Sequence, residues 1–291
     1  MPVKPPLFDY LVARSSEEAV RLLSENPGAM ILAGGQSLIP AMNFRLASPP
    51  ALIDINRIAD LKTIDIVDGN VRVGAAVRHR DLEQSEAAFK ANPLLRAALR
   101  HVAHVPIRNR GTTVGSLCHA DAAAEMPMIL LLADGWVTAA GASGRRNIMA
   151  DQFFEFHMTT SREPDEMIVS ATFPALPSGA GYAFAEFARR KGDYAIAAVG
   201  AILEYGADGA VTAARLAACG ISSRPVRLAE IEAELVGKKL ADDTIHAAGE
   251  LAKDAVTADD DTNATTAYRR HLLAALTRRV IRDAAKQTRE G

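Results

Sequence analysis

Cysteine is nearly absent: the 291-residue chain has two, Cys118 and Cys219, about a hundred residues apart. That pair offers neither a disulfide framework nor the paired spacing of a zinc site. An iron–sulfur cluster ordinarily takes about four cysteines, so this chain cannot hold one alone. Long apolar runs are missing as well; no stretch approaches the roughly 18 residues of a membrane-spanning segment. The opening "MPVKPPLFDY" lacks the apolar core of a signal peptide and the Arg/Ser-rich character of a transit peptide, so a reducing cytoplasm is the expected location. An excess of one charge is also lacking. The formal net charge is -2, which leaves no global field to attract polyanions, and nucleic acid is not an expected partner.

What is present is an ordinary globular composition, 49% apolar and 23% charged, long enough at about 150 residues per domain for two or three domains. "RSSEEAVRLLSEN" carries a capping-box spacing, Ser15 to Glu18, ahead of Ala19, Leu22 and Leu23, which predicts a short amphipathic helix ended by "NPG". "AMILA" and "ALIDI" read as buried strands, so an α/β unit is expected here. Alternating apolar residues around Asp68-Gly69-Asn70 predict an antiparallel hairpin. "NPLLRAALRHVAHV" is expected as a helix, "PIRNRGTTVGSLCHAD" as a long polar loop, "AAAEMPMILLLAD" as a buried helix and "EMIVSATFP" as a strand. Two prolines and two glycines between Pro174 and Gly181 suggest a linker. Beyond it, "YAFAEFARR", "AIAAVGAILEY" and "VTAARLAACG" suit an antiparallel sheet. The stretch from Val226 reads as helical, ending in an amphipathic helix with Leu272, Leu273 and Leu276 inward and a solvated basic face around Arg269 to Arg282.

Two loops hold the candidate chemistry. "ILAGGQSLI" runs from an apolar strand straight into Gly34 and Gly35, whose missing Cβ atoms permit positive φ and close approach to backbone amides; Gln36 and Ser37 add side-chain donors. Such a nest suits a phosphate, although the pattern is neither the dinucleotide fingerprint nor a P-loop. A plain strand-to-helix turn capped by Ser37 is the structural alternative. "RNRGTTVGSLCHADAAAE" repeats the chemistry with Gly111, Gly115, Thr112, Thr113 and Ser116, and two such nests could clasp one pyrophosphate. Its alternative is a surface connection. The pair His101 and His104, three apart in a predicted helix, with His119 and Asp121, is weighed as a metal site and set aside in favour of helix-surface and loop roles. The basic run at Arg189, Arg190 and Lys191 lacks the stacking aromatics of a nucleic-acid site and reads as ion pairs or a subunit contact.

Taken in order, "ILAGGQSLIPAMNFRLASPPALIDINRI", "VRVGAAVRH", "IRNRGTTVGSLCHADAAAE", "EMIVSATFP" and "FARRKGDYAIAAVGA" closely resemble the FAD-binding medium subunit of molybdenum hydroxylases, of the aerobic carbon monoxide dehydrogenase type within the xanthine dehydrogenase family. The resemblance runs from Leu7 to Ile281. It implies an α+β fold: a vanillyl-alcohol-oxidase-type (PCMH-type) FAD-binding domain of two α/β subdomains, at residues 1–60 and 61–176, and a C-terminal domain at 180–288 with a three-stranded antiparallel sheet and a helical bundle. It further implies that Ala33, Gly34, Gly35, Gln36, Ser37 and Leu38, with Thr112, Gly115 and Ser116, bind the FAD phosphates. Glu125 falls near the ribityl chain, Ile168 at an aliphatic contact to the cofactor, and Asp193 and Tyr194 where the C-terminal domain approaches the isoalloxazine ring. A helix-start carboxylate, a core residue and a strand tyrosine are the plainer readings of Glu125, Ile168 and Tyr194.

The sequence departs from the family where TIGG is often followed by Asn or Asp: Val114 replaces the first of the two glycines and Ser116 the amide or acid. Gln36 stands where some members have His. The implied function is an electron relay. Molybdopterin would sit in a large partner subunit and two [2Fe-2S] clusters in a small one, with a quinone, NAD or oxygen as acceptor. The alternatives are a self-sufficient FAD oxidoreductase of the same fold and a scaffold without flavin.

Overall fold

The computed structural model describes residues 4–287, so positions 1–3 and 288, at the outer bounds of the expected domains, lie outside the described residues. The first unit comprises β1 (Asp9–Val12), α1 (Ser16–Glu25), β2 (Met30–Leu32), α2 (Leu38–Asn43) and β3 (Ala51–Asp54), and its sheet runs β1-β3-β2 with every pair parallel. α1 begins where expected: Ser15 Oγ accepts from the Glu18 N–H, and the Glu18 carboxylate reaches back to the Arg14 N–H. Parallel strands need both faces covered, which is why β3 is buried at all four positions.

The second unit is built on an antiparallel sheet, β4-β5-β10-β6-β7, from β4 (Ile64–Val67), β5 (Asn70–Gly74), β6 (Trp136–Gly141), β7 (Gly144–Met149) and β10 (Met167–Phe173). Asp68 and Gly69 both have positive φ, the backbone of the expected two-residue hairpin between β4 and β5. Between β5 and β6 lie α3 (His79–Gln84), α4 (Glu86–Ala91), α5 (Pro93–Leu99), α6 (Val105–Arg108), α7 (Thr113–His119) and α8 (Glu125–Leu132). Between β7 and β10 come α9 (Ala150–Phe153) and the small hairpin β8 (Phe154–Phe156) and β9 (Thr159–Thr160). Two expectations are corrected here. The helix predicted through His104 stops at Leu99, and Ala103 turns left-handed before α6 begins. His101 and His104 therefore share no helix; His101 Nδ1 instead lies 3.1 Å from Glu186 and its ring meets Phe184. The stretch read as a long polar loop holds α6 and α7. Thr112 Oγ1 caps α7 by accepting from the Gly115 N–H, while Val114 and Leu117 bury its inner face.

The last unit is an antiparallel sheet, β11 (Gly181–Phe187), β12 (Ala197–Tyr205) and β13 (Val211–Cys219), to which β14 (Val226–Arg227) adds a two-residue fourth strand in a stretch expected to be helical. α10 (Ala229–Leu235), α11 (Asp242–Ala252) and α12 (Thr266–Gln287) follow, and α12 lies on β11 and β12 with Leu272, Leu273 and Leu276 inward. Arg269 corrects the picture of a solvated basic face. It is buried, and it donates to the Ile196 and Gly220 carbonyls and to Asp261. The chain between β10 and β11 is pinned to the second unit by Asn92 donating to the Pro174 carbonyl and by the Leu176 N–H donating to Ala91. α8, buried at every position, packs on β12 and β13 from the other side, so one hydrophobic core runs from the second unit into the last.

Candidate functional site

β2 ends at Leu32 and its chain enters the first loop, Ala33 to Ser37, before α2 starts at Leu38. Gly35 adopts φ +71, a left-handed conformation that side chains with Cβ seldom take. Gly34 is required for space. A Cβ there would lie 2.5 Å from the Arg110 carbonyl oxygen, 2.7 Å from the Gly111 Cα and 2.9 Å from the Thr112 nitrogen. The two glycine-rich loops, separated by about 75 residues of sequence, thus touch backbone to backbone. Ser37 occupies the N-cap position of α2 but makes no capping hydrogen bond, so the reading of it as a simple helix cap does not hold.

In the second loop Thr112 and Thr113 are buried, and Gly115 and Ser116 are partly open. The Gly115 N–H is taken by Thr112, and a Cβ on Gly115 would lie 2.5 Å from that hydroxyl; this glycine makes room for the cap. Val114 falls in the first turn of α7 with no positive φ, so a β-branched residue is accommodated there.

Beyond α7 the chain reaches Asp121 and Glu125, both buried. Burial, with the neighbouring Glu186 and Asp121, pushes the Glu125 carboxyl up to about 8, so at neutral pH it is largely protonated. From the C-terminal unit, the segment Gly192-Asp193-Tyr194 folds over this region. A Cβ on Gly192, at φ +88, would meet His104 at 2.9 Å. Tyr194 is 53% exposed as a residue. Burial, with Asp121 and Glu125, pushes the Tyr194 phenol up to about 12 against the opposing effect of the Ser37 hydroxyl. Ser37, Glu125, Asp121 and Tyr194 are therefore gathered in one place. Asp193, exposed, lines with Tyr194 and Asp121 a cavity of about 920 Å³ between the second and last units. Ile168 lies apart, in the core on β10, the strand against which α7 packs.

Three residues of this region were not singled out in the sequence, although they lie within the motifs that carry the family resemblance. His79 donates its backbone N–H to the Gly111 carbonyl, and its Nδ1 lies 3.2 Å from Thr113 Oγ1; burial, reinforced by Arg108, pushes its pKa down to about 4 and keeps it neutral. Asn56 and Arg78 reach the backbones of both loops. Only the apolar or turn residues around them formed a readable pattern.

The donor set suits a dinucleotide. Two abutting turns carry backbone amides and the side chains of Gln36, Ser37, Thr112 and Ser116, with no acidic residue in either turn, and a carboxyl and a phenol stand beside them. Comparison with known proteins agrees. The family described as "FAD binding domain in molybdopterin dehydrogenase" matches residues 6–176, and "CO dehydrogenase flavoprotein C-terminal domain" matches residues 182–284. The 6-hydroxypseudooxynicotine dehydrogenase complex subunit alpha of Paenarthrobacter nicotinovorans is 40% identical, over 99% of this chain and 97% of its own length. The carbon monoxide dehydrogenase medium chain of Hydrogenophaga pseudoflava is 33% identical over 85% of this chain and 86% of its own. Among solved structures, quinoline 2-oxidoreductase from Pseudomonas putida 86 superposes with a TM-score of 0.94 at 36% identity, covering 98% of this chain and 99% of that one. The chain belongs to the family of FAD-binding medium subunits of molybdenum hydroxylases, the oxidoreductase subunits typified by the carbon monoxide dehydrogenase medium chain.

Proposed function

We propose that this chain is the electron-relay subunit of a heterotrimeric molybdenum hydroxylase, receiving electrons from two [2Fe-2S] clusters of a small subunit and delivering them to an external acceptor, a quinone, NAD or oxygen. The observation that supports the reading is the close backbone approach of the two glycine loops, as two nests sharing one diphosphate would require. The cysteine count supports the division of labour, since the clusters need ligands that this chain lacks. Substrate oxidation belongs to a large molybdopterin subunit. A bound FAD supplies the exchange between single-electron and two-electron transfer, and the polypeptide contributes binding, orientation and shielding from water.

In this reading Ala33 to Leu38, Thr112 and Ser116 hold the diphosphate, with Gly115 giving room for the Thr112 cap. Glu125, protonated at neutral pH, offers a donor as well as an acceptor to the ribityl hydroxyls. Ile168 contributes an aliphatic contact, and Asp193 and Tyr194 face the ring from the C-terminal unit. The boundaries 1–60, 61–176 and 180–288 follow the three main sheets, whose strands each fall inside one segment. The cytoplasm is the proposed location; no described helix is long and apolar enough to cross a membrane.

The test is expression of the chain alone and with its two candidate partners. The isolated chain should purify yellow, with a flavin spectrum and no iron–sulfur absorbance, and should not oxidise aldehydes, purines, N-heterocycles or carbon monoxide. Co-expression should yield a complex that reduces an artificial acceptor. Donor turnover by the isolated flavinated chain at the rate of the complex would establish the self-sufficient oxidoreductase instead, and a colourless protein that takes up no FAD would establish the scaffold.

A further inference from the structure

The two loops are held together by more than contact. Asn56, just after β3, donates through Nδ2 to the Ala33 carbonyl of the first loop at 2.8 Å, and its Oδ1 accepts from Arg78 Nη2 at 2.6 Å. Arg78 Nη1 in turn donates to the Arg110 carbonyl at the start of the second loop, at 2.5 Å. The backbone of Arg78 pairs with Thr112 in an isolated antiparallel bridge, flanked by His79 N–H to the Gly111 carbonyl at 2.9 Å and Thr113 N–H to the Val77 carbonyl at 3.3 Å. Behind Asn56, the Asp54 carboxylate accepts from the Asn56 N–H and Nδ2, each at 2.7 Å, and from the Tyr10 hydroxyl. A continuous chain of polar contacts therefore runs from β1 through β3 to both loops.

We propose that Asn56 and Arg78 are positioning residues that clasp the two glycine loops at the separation at which their amides grip the FAD diphosphate. The inference rests on the assignment of those loops to the diphosphate. Its chemical basis is directional. A planar trans peptide points its C=O and N–H to opposite sides, so a carbonyl of Ala33 drawn back to Asn56 turns the Gly34 N–H away from it. Asn56 must accept on one side and donate on the other, which only an amide does among side chains of this size. Arg78 must reach an amide oxygen and a peptide oxygen at once, which a forked guanidinium does and an ammonium does poorly. Neither residue needs to touch the cofactor for this to set its affinity, because amides preorganised for an anion bind it without reordering.

The near-isosteric change Asn56→Asp and the charge-conserving change Arg78→Lys test the clasp in the full-length chain, stripped of flavin and titrated with FAD and with riboflavin, which carries the ring but no diphosphate. Gly34→Ala serves as the reference for the loops themselves. Each clasp variant should weaken FAD by at least ~10-fold, the equivalent of about 1.4 kcal/mol, with riboflavin affinity changed less than about twofold. The double variant should lose little more than the worse single one, as residues acting through one contact are not additive. Undiminished FAD affinity in both single variants, alongside a loss in Gly34→Ala, would overturn the clasp alone. Equal weakening of FAD and riboflavin would overturn it too, by showing a general loss of structure. FAD binding unaltered in Gly34→Ala would remove the diphosphate assignment and the clasp with it.

Discussion

At the scale of the residue, Glu125 is the group whose environment departs furthest from what its sequence position suggests. A carboxylate at the first residue of α8 would ordinarily be favoured by the helix dipole. Burial, reinforced by Glu186 from β11 and Asp121 from the preceding turn, outweighs the dipole and lifts its pKa from 4.5 to about 8. Between those values the folded chain binds a proton that the unfolded chain has released, so its stability falls as pH rises from about 4.5 to 8. Glu125→Gln should abolish that slope. In the flavin-free chain the variant's stability advantage over the native residue should be near zero at pH 4.5 and grow toward pH 8.5, on the order of a few kcal/mol at ~1.4 kcal/mol per pH unit. Denaturant unfolding across that range measures it. Parallel pH profiles for the two proteins would mean that Glu125 is ionised in the folded chain.

At the scale of the element, legibility followed the strength of local chemistry. The capping box of α1 and the Asp68-Gly69 turn between β4 and β5 were readable because neighbouring residues alone determine them. α7 was not. Its residues, Thr113 to His119, include a glycine, a serine and a β-branched pair, all poor helix formers, so the stretch reads as loop. What makes it helical is tertiary: Val114 and Leu117 are buried, and Thr112 supplies the cap. The bridging role of Asn56 and Arg78 was unreadable for a related reason, since polar residues that join segments over 20 to 30 positions apart leave no periodicity, and they stood out only as parts of family-like motifs. The cap of α7 can be weighed directly. Thr112→Val removes the hydroxyl that accepts from the Gly115 N–H and should lower stability by about 1 kcal/mol, whereas Thr112→Ser should retain most of it. Urea midpoints of the flavin-free proteins separate the two, and a valine variant as stable as the native chain would show that burial alone holds α7.

At the scale of the whole molecule, the cofactor and C-terminal units are joined by a core rather than a hinge. α8 is buried on every side, apolar after Glu125, because it is covered from both: by α5 and α7 within its own unit and by β12 and β13 from the other. The approach is close enough that a Cβ on Gly200 would lie 2.5 Å from Leu132 Cδ2. Polar ties cross the same junction, from the Gly220 N–H to the Ala122 carbonyl, from Arg224 to the Phe154 carbonyl, and from Arg227 to Asp134. Stripping the C-terminal unit away would expose α8 along its length, so the cofactor unit lacks a complete core without it, while the C-terminal unit keeps a second core between its sheet and α10 to α12 but would bare the sheet face that α8 covers. The chain should accordingly unfold in one cooperative transition, with calorimetric and van't Hoff enthalpies in agreement. A ligand bound only to the folded form stabilises by RT ln(1 + [L]/Kd), about 2.7 kcal/mol at a hundredfold excess over Kd, and FAD should raise that single transition as a unit. Differential scanning calorimetry with and without FAD decides it. Two transitions, of which FAD shifts only one, would mean that the units fold independently and that Tyr194 reaches the site across a movable boundary.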